Sequence, residues 1–196
     1  AIILIDPGGL SAQVEQLAGV IGECRAEKER PVFVFLTHVH IDHFIGVQSS
    51  PAFAHPNAAV FAVQEEGARA LAAGDTKLTV AALLETKLMP MKIGLPLVTE
   101  DREKTPGIPV SLAFPNGAEI TIVQDRYTGK NPRSIRHERI TFGPGPALDI
   151  YHTPGHSPDS ICMRFGDFFF IGDVLFAASP GVAGMRGWSQ KELLET

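Results

Sequence analysis

Apolar residues recur along this chain in two rhythms. IILI at 2–5 and VFVFL at 32–36 are short unbroken runs, the first ending in the turn DPGG. Runs of this length, rich in β-branched and aromatic residues, predict buried strands. Between them Val14, Leu17, Ile21 and Cys24 fall at helical spacing. That pattern predicts an amphipathic helix over 12–29, with Ser11 as its N-cap and Cys24 as a core residue. Strand, helix and strand in this order imply a parallel pair joined by a crossover.

The rhythm continues with AAVFAV (58–63) as a strand and QEEGARALAAG as a short helix stopped by Gly74. KLTVAALLETKLM (77–89) reads as another helix, closed by Pro90, and the Pro-, Lys- and Glu-rich stretch 90–109 as loop. Residues 108–125 carry a hairpin signal, with Asn116-Gly117 between alternating runs. Three more strands are predicted at 147–153, 160–165 and 168–172. Strands interleaved with helices indicate an α/β fold of layered sheets, here one domain over 1–196. The stretch 77–139 is expected to form a lid or substrate wall.

Composition narrows the function only a little. The 44% hydrophobic and 20% charged residues are ordinary globular usage. A net charge of -5 argues against nucleic acid as the main partner. No uninterrupted apolar run is long enough to span a membrane. Two cysteines, Cys24 and Cys162, suit a reducing compartment, so the cytoplasm is the expected location. The expected partner is a small-molecule substrate; the oligomeric state, a dimer included, is left open.

The chemistry is concentrated in FLTHVHIDHFIG (35–46), where His38, His40, Asp42 and His43 fall within six positions directly after a predicted strand. His38 and His40, two apart in extended chain, point the same way and can reach one ion. Asp42 and His43 follow where the chain must turn. His156 lies in a Pro-Gly turn after the strand 147–153. Asp173 follows an apolar strand that could not hold a lone carboxylate without a partner. Together these residues supply one complete tetrahedral site and most of a second.

THVHIDH, TPGHS and GDVLF, in that order, resemble the metallo-β-lactamase superfamily, and DPGG resembles its early aspartate-glycine turn. The resemblance implies an αββα sandwich with two divalent metal ions, zinc first, with iron and manganese as alternatives. It implies that His38, His40 and His156 hold one ion, that Asp42 and His43 hold the other, and that Asp173 bridges them. The implied activity is hydrolysis of an ester, thioester, lactone or phosphoester by a metal-bound hydroxide, with Asp42 orienting the hydroxide and shuttling a proton. One rival is a mononuclear non-haem iron enzyme like the superfamily's sulfur dioxygenases, using His38, His156 and Asp173. Another is a non-catalytic metal-binding scaffold.

The family pattern also requires one more histidine from a late loop, and none follows His156. Ser189 and Glu192 form a capping box for a helix of only about two turns. The chain is therefore expected to be part of a longer protein, with an open sheet edge or exposed apolar surface near 160–176. HFIGV after the first motif departs from the glyoxalase II pattern. Arg126, Lys130, Arg133, Arg136 and Arg139 form a basic stretch, read as a solvated edge or an anion-recognising patch. From it, Arg133 and Arg136 are candidate substrate-binding residues, as is Trp188 near the cleft. His137 is expected at the surface. His55 and His152 are expected in supporting roles, with His152 the better candidate to steady a ligand.

Overall fold

The computed structural model describes residues 1–54, 58–128, 134–176 and 184–196. Four parallel strands, β1 (Ile2–Ile5), β2 (Val32–Phe35), β3 (Val60–Gln64) and β4 (Leu95–Leu97), form one sheet in the order β1-β2-β3-β4. Six antiparallel strands form the second. These are β5 (Val110–Ala113), β6 (Glu119–Thr128), β7 (Ser134–Thr141), β8 (Ala147–His152), β9 (Ile161–Phe165) and β10 (Phe168–Phe170), ordered β10-β9-β8-β7-β6-β5.

Side-chain alternation along β2 explains the layering. Phe33 and Phe35 point into a core between the sheets, where they meet Ile122, Ile140, Leu148, Ile150, Ile161 and Met163. Val32, Val34 and Leu36 belong to a second cluster, with Ile21 of α1 (Ser11–Glu27) and Leu71 of α4 (Glu65–Ala73). A parallel strand buried on both faces must be apolar throughout, which is why VFVF carries no alternation. Two short helices, α2 (Ile45–Ser49) and α3 (Pro51–Ala54), follow the histidine-rich loop. The arrangement is a layered α/β sandwich, with helices packed on the parallel sheet and the second sheet facing its other side.

Several local expectations give way to tertiary contacts. Ser11 is the first residue of α1, with Leu10 at the cap position and no side-chain cap bond. Cys24 on α1 is only partly buried. The helix expected over 77–89 is instead a series of turns over its first half. The Asp75 carboxylate accepts from the amides of Lys77 (2.9 Å) and Leu78 (3.1 Å), the pattern of a turn rather than of helix propagation. Val80 then takes a left-handed φ of 56°, which an α-helix cannot contain.

Within the stretch expected to form a lid or substrate wall, residues 95–97 and 110–113 are β4 and β5, and 119–128 and 134–139 belong to β6 and β7. Its anchor is buried: Arg102, within α5 (Glu100–Glu103), donates from Nε to Glu138 at 2.7 Å, and Glu138 is fully inaccessible. Near the predicted open edge, β10 exposes Phe168 by 70% and Phe169 by 56%, and Leu175 beyond it is also exposed. No described helix is long and apolar enough to cross a membrane.

Candidate metal centre

The ends of strands from both sheets meet at one rim. Asp6 follows β1, His38 and His40 follow β2, His156 follows β8 and Asp173 follows β10. Short turns at these ends let side chains distant in sequence converge.

Asp6 organises the first loop. Its backbone takes a left-handed φ of 45°, which swings the carboxylate across to β2. One oxygen accepts the Thr37 amide (2.8 Å), and the other accepts the Thr37 hydroxyl (2.6 Å) and pairs with His43 Nδ1 (3.0 Å). The Thr37 hydroxyl also lies 3.2 Å from His38 Nδ1. The turn after Asp6 packs closely on the loop, since Gly8 donates to the His43 carbonyl (2.9 Å) and accepts from Gly46 (3.2 Å). A Cβ on Gly46 would sit 2.7 Å from Val14 and 3.0 Å from the Gly8 carbonyl, so a glycine is needed there.

His38, His40 and His156 are almost wholly buried and offer ligand atoms within 4.8 Å of one another. Ring centroids are 4.4 Å apart for His38 and His40, 4.8 Å for His38 and His156, and 4.7 Å for His40 and His156. A second group, His38, His43 and Asp173, meets the same distance limit. Asp173 of the second group also approaches the first, lying 3.4 Å from His43 Nε2 and 3.7 Å from His156 Nε2. Asp42 is more exposed and stands at the margin, 3.8 Å from His43 Nε2 and in neither group.

The electrostatics divide the cluster in two. Burial, reinforced by neighbouring histidines, holds His38 well below its ordinary pKa and His40 down to about 4. Burial lowers His156 as well. These rings are neutral at pH 7, the form in which imidazole binds metals. Burial also opposes charge on His43, but its bonds to Asp173 and Asp6 prevail and raise it to about 10. The bond to His43 in turn holds Asp173 below the usual carboxylate range.

Three packed imidazoles would be costly if nothing used their nitrogens. Among the described residues, His38 Nε2, His40 Nε2 and His156 Nδ1 are buried without a hydrogen-bond partner. His40 Nδ1 and His156 Nε2 face each other at 3.0 Å with Asp173 beside them, and with His38 they make a donor set that suits a divalent cation.

The sequence profile of the metallo-beta-lactamase superfamily matches residues 1–191. The chain belongs to this superfamily. It is 28% identical over 186 residues to the human acyl-coenzyme A thioesterase MBLAC2, a match covering 90% of the chain and 55% of that protein. Its fold resembles the crystal structure of ETHE1 from Myxococcus xanthus, with a TM-score of 0.51 and 20% identity over 97% of the chain and 55% of that structure. The chain thus spans about half the length of either protein.

The other described candidates have partners of their own. Arg136 is committed to His152 Nδ1 (2.9 Å), the Val98 carbonyl (3.4 Å) and Glu103 (3.6 Å). Arg126 pairs with Glu103, and Arg139 with Asp149 at 2.7 Å, so the described part of the basic stretch is largely neutralised. His152 Nε2 bonds the Pro158 carbonyl (2.9 Å) in the loop that carries His156, an arrangement suited to steadying that ring. His137 pairs with Asp149 rather than facing solvent alone. Trp188 is half-buried just before α6 (Gln190–Glu195), next to Gly187, which packs on Pro158. Arg133, Lys130 and His55 lie outside the described residues.

Sequence reasoning assigned no role to Asp6 or Asp159. DPGG marked a turn but did not show which side chains its aspartate would bond. Asp159 sits beside the TPGHS motif, and its partner is 120 positions away.

Proposed function

We propose that this chain carries the metal centre of a metal-dependent hydrolase, with an acyl thioester as the first substrate class to test. The observation that carries the reading is the convergence of His38, His40 and His156, buried and neutral, with Asp173 3.7 Å from His156. In this reading His38, His40 and His156 hold one divalent ion, zinc first, with iron and manganese as alternatives. Asp42 and His43, the latter giving up its proton on binding, would hold a second, with Asp173 between the two sets of residues. Thioester is chosen from the ester, thioester, lactone and phosphoester range because the human relative is named an acyl-coenzyme A thioesterase.

When bound, such ions polarise a scissile carbonyl or phosphoryl group and activate water near neutral pH. The chain's own contribution is to hold the donors still and to move a proton. Asp6 and Thr37 fix the loop and the His43 ring. The Asp42 side chain is 66% accessible and stands beside His43, where it is placed to accept a proton from water and deliver it to a leaving group.

The test begins with metal content of protein purified without added ions. It continues with turnover of an acyl-coenzyme A, a lactone, an aryl ester and an aryl phosphoester. Two ions per chain and thioester turnover are expected. His38→Ala and His40→Ala should lose more than the roughly 10–100-fold that follows loss of a ligand's hydrogen-bond partner. One iron ion per chain with no hydrolysis of any of the four would overturn the reading in favour of an iron enzyme.

A further inference from the structure

We propose that Asp159 is a positioning residue, clamping the loop that carries His156 to the backbone between His38 and His40. The inference rests on the metal-centre reading above and adds to it a part that lies beneath the histidines. Asp159 is completely buried, and its Oδ2 accepts the Val39 amide at 2.9 Å across 120 positions of chain. Val39 separates the two histidines, and its side chain is also fully buried. Holding its amide therefore sets where both neighbouring rings leave the backbone.

The loop on the other side of the clamp is stiff. Ser157 and Ser160 hydroxyls lie 2.7 Å apart, and the Ser157 amide donates to Ser160 Oγ at 3.1 Å. A backbone bond from Ile161 to the Thr37 carbonyl (2.8 Å) runs alongside. Helix α4 closes the space from behind at Gly67, where a Cβ would lie 2.5 Å from Asp159 Oδ2 and 2.8 Å from Val39 Cγ1. No larger residue fits there without pushing the carboxylate off the amide.

A carboxylate is an expensive way to fill such a space. Its Oδ1 is buried without a hydrogen-bond partner among the described residues, and burial pushes the carboxyl up to about 6. If packing alone mattered, an apolar residue would serve better. What the carboxylate supplies is a directed acceptor for the Val39 amide, and metal ligands depend on such outer bonds for their orientation.

The test uses Asp159→Ala and Asp159→Asn, with cobalt(II) as the metal probe and hydrogen exchange at the Val39 amide in metal-free protein. Asp159→Ala should retain cobalt about 10–100-fold less tightly, with an altered visible spectrum and faster exchange at Val39. Asp159→Asn keeps an acceptor oxygen and should return both readouts close to wild type. Unchanged Val39 exchange and an unchanged cobalt spectrum in Asp159→Ala would overturn the proposal. If Asp159→Ala does not fold, loss of Val39 protection in folded Asp159→Asn overturns it instead. Should the wild type bind no cobalt, the metal-centre reading fails, and Val39 exchange still decides whether the clamp exists.

Discussion

Replacing Asp6 with alanine isolates how a second residue beneath the ligands supports them. The carboxylate accepts the Thr37 amide and hydroxyl and pairs with His43, while Thr37 itself is only 2% exposed. In Asp6→Ala the Thr37 hydroxyl can turn to His38 Nδ1, 3.2 Å away, so its loss is partly made good. The amide has no such alternative. A buried donor left unsatisfied costs about 1–3 kcal/mol. The 19% exposure of the Asp6 side chain admits some water, which keeps the total near 2–3 kcal/mol. For a domain of this size that lowers Tm by roughly 4–12 °C. His43 also loses one of the three carboxylates that raise its pKa, and metal should be held about 10–100-fold less tightly. Urea denaturation measures the first effect and chelator competition the second. Asp6→Asn, which keeps one acceptor oxygen for Thr37, should recover part of the stability. Unchanged metal retention in folded Asp6→Ala would refute the argument that Asp6 orients His43.

Other predictions test the interior and the linkage to pH. Because the folded pKa of Asp159 is raised to about 6, the native state binds a proton more tightly than the unfolded chain. Its contribution to stability is present below about pH 4 and is lost as pH rises to about 6. Asp159→Asn should therefore gain about 2–3 kcal/mol relative to wild type between pH 4 and pH 7, read from paired urea titrations, and a constant difference would count against it. Arg102→Ala strands the inaccessible Glu138 carboxylate and should cost about 3–5 kcal/mol, whereas Arg102→Met with Glu138→Leu should recover most of that in thermal unfolding. Removing metal with a chelator should lower Tm, because an ion at a hundred times its Kd contributes about 2.7 kcal/mol to the folded state.

Features that depend on near neighbours were legible in the chain itself. VFVF, buried on both faces, could only be an inner strand, and Gly74, at φ 65°, closes α4 as a left-handed cap should. His38 and His40 announced a shared centre because two residues of extended chain return a side chain to the same face. Features that depend on distant partners were not. The apolar spacing of 77–89 suited a helix, yet Asp75 captures two amides, and the Thr79 carbonyl is taken by the Ile41 amide at 3.0 Å. β7 was hidden because its inward Glu138 is a charged residue whose burial depends on Arg102, 36 positions away. The same reason separates the candidate ligands from their supports. Ligand types and spacing are local properties of a motif. Which amide Asp159 holds, and which ring Asp6 holds, is decided only when strand ends from two sheets are brought to one rim.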